Sequence, residues 1–174
     1  YDGTNYHGWQ VQNNGITIES ELNRCLSDLL KEDIQVIGAS RTDSGVHALG
    51  NIAVFDTASR MPAEKISYAL NQRLPEDIRI VSVEAVDDQF HARYGVRRKQ
   101  YDYRIHFGEF DVFSRTSAYQ CPYKVDLEKM KEAAALLVGT HDFTSFCSNP
   151  LSETPDQVRT LEAVDFRLDD DMLT

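Results

Sequence analysis

Three stretches of the chain carry apolar residues at helical spacing, with polar residues at most positions between them. These apolar stripes are Ile18, Leu22, Cys25, Leu26, Leu29 and Leu30 in the first, Ile66, Ala69, Leu70 and Leu74 in the second, and Leu127, Met130, Ala134 and Leu137 in the third. Thr17 and Asp126 stand where a side-chain oxygen can cap a helix, and Pro62 suits a first helical turn because an N–H there would have no partner. We therefore predict three amphipathic helices, the third of them closed by Gly139.

Alternation of apolar and polar residues outside these stripes predicts strands with one buried face. The predicted strands cover residues 34–37, 51–55, 78–86, 101–105 and 161–168. Hairpins mixed with amphipathic helices favour an α+β fold, with helices on one face of the sheet. A strand pattern ends and positive charge rises near residues 92–96, which suggests a boundary between two lobes.

The two ends of the sequence favour a piece of a longer polypeptide. The chain opens on a turn-like Tyr-Asp-Gly, with no methionine and no leading strand. It closes on the strand pattern of residues 161–168, and the three aspartates that follow are typical of a hairpin turn. The strand that should return after Asp171 is missing, so we expect the sequence to be incomplete.

Composition excludes several classes of protein. The 174 residues are 41% hydrophobic, enough for one domain or two small lobes, and no apolar run is long enough to span a bilayer. The three cysteines lie far apart with no CxxC pair, which argues against a disulfide framework or a zinc site and fits a reducing cytoplasm. The five histidines lack ligand spacing, and no GxGxxG, P-loop or GxSxG motif predicts a nucleotide cofactor or a serine nucleophile.

The net charge of −10 weakens a nucleic-acid interpretation, but the charge is unevenly spread. Residues 91–104 contain five basic side chains against one acid, and tyrosines lie between them: Arg93, Arg97, Arg98, Lys99 and Arg104, with Tyr94, Tyr101 and Tyr103. Cations interleaved with aromatic rings suit phosphate contact and stacking on unpaired bases. The alternative is an amphipathic strand that places its tyrosines in the core.

Residues 41–47, Arg-Thr-Asp-Ser-Gly-Val-His, lie between two predicted strands. Asp and Gly are good turn residues, so a solvated hairpin turn is one interpretation of Asp43. A carboxylate on a loop held by strands, with Arg41 and His47 nearby, also suits nucleophilic or proton-transfer chemistry. Local sequence leaves both interpretations open. Residues 6–10 hold the one tryptophan beside glycine and predict a packed corner, with a cleft wall as the alternative.

Four segments, taken in order, resemble the TruA family of tRNA pseudouridine synthases. They are Tyr1-Asp2-Gly3-Thr4 with Gly8-Trp9-Gln10, then Arg41-Thr42-Asp43-Ser44-Gly45-Val46-His47, then Phe90-His91-Ala92-Arg93, and then His141-Asp142-Phe143-Thr144-Ser145-Phe146. The resemblance implies the pseudouridine synthase fold, an antiparallel or mixed sheet built from two ferredoxin-like halves. Residues 1–95 would form an N-terminal lobe with the catalytic loop, and residues 96–174 the start of a truncated C-terminal lobe.

The resemblance also implies roles for individual residues. Asp43 matches the essential aspartate, Arg41 an arginine that helps to hold the target nucleotide out of the stack, and Tyr101 the tyrosine that packs against the target uracil. The basic part of the RNA cleft would be Arg93, Arg97, Arg98 and Lys99. Ser40 and Ser44 depart from the family pattern, where glycine and alanine are common, but both are small.

The implied function is isomerisation of uridine to pseudouridine in the tRNA anticodon stem-loop, at positions 38 to 40, by a cytoplasmic homodimer without a cofactor. Members of the family continue past this endpoint and supply an arginine that pairs with the catalytic carboxylate. Without that partner the pKa and orientation of Asp43 would be less controlled, so we expect the isolated chain to be inactive or nearly so.

Two other functions remain open from the residues alone. A non-catalytic RNA-binding module could use the tyrosines as a stacking platform, but it would have no need of a carboxylate facing its ligand. An enzyme that cleaves carbohydrates or nucleosides with paired carboxylates would need a second acid near Asp43, and the sequence indicates no obvious one.

Overall fold

A computed structural model of the protein describes residues 1–148 and 156–174, and the chain divides into two units, Tyr1–Lys99 and Gln100–Thr174. The first unit contains α1 (Ile18–Leu30), β1 (Ile37–Gly38), β2 (Ala53–Val54) and α2 (Ala63–Asn71). The second contains β3 (Ile105–Phe107), β4 (Tyr119–Cys121), α3 (Leu127–Ala135), β5 (Gly139–Asp142), a 3₁₀ turn (Thr144–Phe146), β6 (Val158–Leu161), β7 (Leu168–Asp169) and β8 (Met172–Leu173).

Helix α1 begins where the sequence predicts, because Thr17 and Ser20 cap each other. The Ser20 N–H donates to Thr17 Oγ1 at 3.1 Å, and the Thr17 N–H donates to Ser20 Oγ at 3.0 Å. Lys31 ends the helix in the left-handed region, with φ 61°, and donates its N–H to the Ser27 carbonyl at 2.8 Å. The helix therefore places its apolar stripe on the core of the first unit.

The core of the first unit joins both helices to the segments that flank the 41–47 loop. Its buried residues are Tyr6, Trp9, Ile18, Leu22, Cys25, Leu26, Leu30, Ile34, Val36, Ile66, Leu70, Leu74 and Ile78. Strands β1 and β2 pair antiparallel, with Ile37 opposite Val54 and Gly38 opposite Ala53. The strands are shorter than predicted, but their pairing brackets the loop as the sequence indicates.

The predicted strand over residues 78–86 is wrong: none of these residues lies in a strand. Ile78 is buried, and Ile80 and Val83 pack partly against the core, which accounts for the alternating pattern. The backbone of Ile80 bonds to the Asn71 side chain, donating at 2.8 Å and accepting at 2.9 Å. An amide side chain therefore takes the place that a neighbouring strand would have.

The second unit builds one four-stranded sheet in the order β4-β3-β8-β7, and β5 pairs antiparallel with β6 in a second sheet. Strand β3 is parallel to β4 and antiparallel to β8. The predicted strand over residues 101–105 is largely wrong, since β3 begins only at Ile105. Likewise, residues 162–167 of the predicted 161–168 strand lie in no strand.

A hairpin joins β7 to β8, as the three aspartates predict, with Asp170 in the turn at φ 50°. The expectation that the returning strand is missing is wrong, because Met172 and Leu173 pair back onto Asp169 and Leu168. Two residues are enough to form this returning strand, because Leu173 and Met172 also pair with Ile105 and His106 of β3.

Helix α3 is capped by Asp126, which accepts the Lys129 N–H at 3.1 Å. It ends at Ala135 with Leu136 as its cap, so Gly139 does not close it. Gly139 begins β5 instead. The predicted stripe of α3 is only half-buried, and no residue of this helix is fully buried.

The described strands and helices confirm an α+β fold with antiparallel and mixed sheets. The two ferredoxin-like halves stay a prediction, because the strands assigned in the first unit are a single short pair. Across residues 1–148 and 156–174, no helix has the length and apolar character needed to cross a membrane.

Candidate functional site

A cleft of about 380 Å³ opens beside Asp43, within the first unit. One side is the segment after Tyr6, and the other is the 41–47 loop. The lining residues are His7, Gln10, Val11, Gln12, Asn14, Arg41, Thr42, Asp43 and Ser44. A volume of this size lies in the range of small-molecule sites. Arg41 and Asp43, predicted from sequence as site residues, therefore share one cleft.

A tight turn presents Asp43. Its carbonyl accepts the Val46 N–H at 3.1 Å, and Gly45 holds φ 78° at the third position of the turn. Such a positive φ favours glycine, because a Cβ would crowd the backbone. The Asp43 side chain is exposed, and no described residue donates a hydrogen bond to its carboxylate or pairs with it. The carboxylate is therefore open to a ligand.

The segment of residues 6–9 holds the backbone of this turn from one side. The Trp9 N–H donates to the Thr42 carbonyl at 3.0 Å. The Gly45 N–H and the Ser44 hydroxyl both donate to the Tyr6 carbonyl, at 3.2 and 3.3 Å. Because Tyr6 and Trp9 are themselves buried in the core, the loop is tied to a rigid support. The predicted packed corner is confirmed, and it also supplies a wall of the cleft.

Tyr6 is fixed in turn by Asp77, whose carboxylate accepts the Tyr6 hydroxyl. Burial raises the pKa of Tyr6 well above its usual range, and the hydrogen bond to Asp77 adds to that rise. Asp77 also accepts the Asp2 N–H on its carbonyl at 2.9 Å and the Asn5 amide on its carboxylate at 3.2 Å. The first six residues are thereby bound to the turn that precedes Ile78.

Lys99 lies next to the residue before Arg41, since its Nζ donates to Ser40 Oγ at 3.3 Å. A glycine at this position would have no hydroxyl to accept this bond. Arg93, Arg97 and Arg98 are exposed, and Arg98 has a partner. Of the predicted phosphate-binding residues, Lys99 therefore lies next to the 41–47 loop.

Tyr101 lies in the second unit, with 81% of its surface exposed, and Tyr103 is 70% exposed. The alternative interpretation, in which these tyrosines fill a core, is therefore wrong. Their rings are free to stack on a ligand, as the RNA-binding interpretation requires.

The residues that line the cleft can be compared with the paired-carboxylate alternative. The paired-carboxylate enzyme would need a second acid, but among the lining residues Asp43 is the only Asp or Glu. No group of three His, Cys, Asp or Glu that could hold a metal ion occurs within residues 1–148 and 156–174.

Sequence reasoning did not single out Gln12 and Asn14 as site residues. They lie in the exposed bend closed by the Gln12–Gly15 bridge, and they add amide groups to the cleft wall. No periodic pattern or motif marks them, so only their position opposite Asp43 identifies them.

Comparison with known proteins places these features in a family. A model of tRNA pseudouridine synthases matches residues 1–95. The chain is 49% identical over 169 residues to the tRNA pseudouridine synthase A of Bacillus licheniformis, covering 95% of the chain and 68% of the relative. It is 43% identical over 174 residues to that of Thermoanaerobacter sp. strain X514, covering 99% and 71%. The enzyme of Bacillus subtilis is 44% identical over 169 residues, covering 95% and 68%.

Proposed function

This chain belongs to the tRNA pseudouridine synthase family, and on that premise we propose that it converts uridine to pseudouridine at positions 38 to 40 of the tRNA anticodon stem-loop. The family is one of isomerases that act on tRNA. The observation that carries the proposal is Asp43, an exposed carboxylate with no partner among the described residues, on a tight turn in a cleft beside Arg41.

The reaction is an isomerisation, in which bonds between the ribose and the uracil of one nucleotide are rearranged. The bond from C1′ to N1 breaks, the uracil turns, and C1′ joins C5, while the C5 hydrogen leaves and N1 gains a proton. Asp43 acts either as the nucleophile on the nucleoside or as a base on the ribose. No electron is gained or lost, so the reaction requires no redox cofactor.

The target base must first leave the helical stack, at a cost on the order of a few kcal/mol. Arg41 lines the cleft that would receive it, where a guanidinium can contact the phosphate of a flipped nucleotide. Stacking on Tyr101 would return about 1–3 kcal/mol of the unstacking cost. The 81% exposure of that ring supports this role, since a base needs one open face.

Phosphate contacts would come from Arg93, Arg97, Arg98 and Lys99, and the Lys99 contact with Ser40 supports a position next to the cleft. From the family resemblance we also propose a homodimer in the cytoplasm, with residues 1–95 and 96–174 as parts of two lobes. Analytical ultracentrifugation of the complete gene product should show one species with twice the mass of a single complete polypeptide.

The test uses tRNA labelled with tritium at uridine C5, because the isomerisation releases that label to water. In the complete gene product that contains this chain, Asp43→Ala should lower release by more than about a thousandfold, the scale of an essential catalytic group. Asp56→Asn is the matched control, since Asp56 is exposed and outside the cleft.

Three results would contradict the proposal. No release by the wild type would remove the enzymatic function, and tRNA binding that persisted would then favour the RNA-binding module. Release that survived Asp43→Ala would remove the proposed catalyst. Release from uridines outside the anticodon stem-loop alone would remove the proposed target.

A further inference from the structure

The first three residues contact the turn that carries Asp43, at Thr42 on its near limb and at residues 46–48 on its far limb. From these contacts we infer that Gly3 and His47 form a latch that positions the Asp43 carboxylate for the reaction. The inference rests on the proposed function, because it assumes that Asp43 is the reacting group. It adds two positioning residues that act through the loop and do not touch the substrate.

A short ladder aligns the start of the chain with the end of the loop. The Tyr1 nitrogen donates to the Ala48 carbonyl at 2.8 Å, and the Ala48 N–H donates back to the Tyr1 carbonyl at 3.0 Å. The Tyr1 hydroxyl lies 2.8 Å from Thr42 Oγ1, on the near limb. The segment therefore spans the base of the turn and touches both of its limbs.

His47 is held by the two residues that follow Tyr1. Its Nδ1 lies 3.2 Å from the Gly3 nitrogen and 2.9 Å from Asp2 Oδ1. A neutral ring accepts the Gly3 N–H on Nδ1, whereas a charged ring donates its Nδ1–H to Asp2. Hydrogen bonds from Thr4, with a smaller contribution from His47, hold the pKa of the Asp2 carboxyl below its usual range, so Asp2 stays an acceptor. The ring has a partner in either protonation state.

Gly3 leaves no room for a side chain against the loop. A Cβ on Gly3 would lie 2.0 Å from the Val46 carbonyl oxygen and 2.6 Å from its carbonyl carbon. Both atoms belong to the backbone, so they can move only if the turn itself moves. Gly3 therefore sets the distance between the N-terminal segment and the limb of the turn that closes on Asp43.

This close contact matters for Asp43 because the side chain of Asp43 is exposed. Among the described residues the carboxylate has no hydrogen-bond partner, so its position follows from the backbone of the turn. The Val46 N–H bonds to the Asp43 carbonyl, and a shift of Val46 would pass directly to Asp43. A displacement of about 1 Å is enough to cost a catalytic group about a hundredfold in rate.

Two pairs of variants test the latch in the complete gene product. Gly3→Ala forces Val46 to move, and Gly50→Ala is its control, because a Cβ on Gly50 would meet no atom within 4 Å. His47→Ala removes the ring, and His47→Asn returns an oxygen or amide near the position of Nδ1. The measurements are the single-turnover rate of tritium release, the Kd for tRNA, and the unfolding midpoint.

We expect Gly3→Ala and His47→Ala to lower the single-turnover rate by about a hundredfold, with tRNA Kd changed less than about threefold. Gly50→Ala should match the wild type, and His47→Asn should recover most of the loss. A purely structural role would instead lower the midpoint and the fraction of active protein, and leave the rate of the folded molecules unchanged.

The inference is wrong if both folded variants keep a rate within about threefold of the wild type, a smaller change than misplacement predicts. It is also wrong if both variants fail to fold, because the contacts would then serve folding alone. Failure of the proposed function looks different. In that case Asp43→Ala keeps its activity, or the wild type has none, whatever the latch variants do.

Discussion

At the scale of single residues, the candidate site combines exposed side chains with buried ones. Asp43 and Arg41 are exposed in the cleft, and among residues 1–148 and 156–174 neither side chain has a hydrogen-bond partner. Tyr6, by contrast, is 5% exposed, and its backbone carbonyl anchors the loop through two donors. The proposed reacting groups are thus exposed, and the loop that carries them is bonded to a buried residue. Mutations of the two kinds should be separable by rate and by stability.

Tyr6→Phe tests the buried anchor. The substitution removes the hydroxyl that donates to Asp77, and we expect the free energy of unfolding to fall by about 1.5 kcal/mol, the lower end for a hydrogen bond to a charged group. The lower end applies because Asp77 keeps the Asn5 amide and is partly exposed. Urea unfolding measures the change. Tyr68→Phe, at a tyrosine 71% exposed, is the control, and an equal loss in both variants would contradict the role of the Asp77 bond.

At the scale of elements, the loop is placed by short structures on either side of it. The paired strands β1 and β2 lie on either side of residues 41–47 in the sequence. Tyr1, at the start of the chain, bonds to Thr42 before the turn and to Ala48 after it. The basic segment is a separate element, and its Lys99 bonds to Ser40, the residue just before the loop. Catalysis and phosphate binding should therefore respond to different substitutions.

Charge reversal in the basic segment should weaken tRNA binding without preventing reaction. With Arg93, Arg97 and Lys99 changed to Glu, we expect the Kd for tRNA to rise. The slope of log K against log salt concentration should become less steep by about one per lost phosphate contact. Arg60→Glu is the control, an exposed cation outside the segment. Filter binding at several salt concentrations measures the slope. Binding that does not depend on salt would remove these residues from the interface.

At the scale of the whole molecule, the apolar core is unevenly divided. All thirteen residues of the main buried cluster lie in the first unit. In the described part of the second unit, only Cys121 and Leu173 are buried hydrophobic residues. Large aromatic side chains are exposed there instead, namely Tyr101, Tyr103, Phe110, Phe113, Tyr119, Tyr123 and Phe146. The apolar area that stabilises folding is thus concentrated in the unit that contains the 41–47 loop.

Amide hydrogen exchange on the 174-residue chain should reflect this division. Helices α1 and α3 both begin at a side-chain cap, but α1 buries five residues and α3 buries none. We expect the amides in the last turns of α1 to exchange more slowly than those of α3, because local opening costs less where few apolar contacts break. Equal protection of the two helices would show that the second unit is stabilised by contacts other than its own core.

The sequence by itself determined the three helices and the N-terminal caps of α1 and α3. Helical hydrogen bonds and caps join residues three or four apart, so Thr17 and Asp126 could be read from local spacing. Local spacing left Asp43 open between a turn residue and a reactive carboxylate, and only the ordered resemblance of four segments to the TruA family favoured the second interpretation. Gly139 failed as a helix cap because its positive φ serves the start of β5, which a local pattern does not distinguish.

Only the tertiary structure decided where the strands lie and what holds the turn that carries Asp43. A strand requires partners distant in sequence, and residues 78–86 have the alternating pattern without such a partner: the backbone of Ile80 bonds to the Asn71 side chain instead. The contact of Gly3 with Val46 joins residues more than forty positions apart and leaves no periodic trace. Sequence thus proposed Asp43 as the reacting group, from residue types and the order of motifs along the chain. Folding alone fixed its position, because that depends on contacts between distant residues.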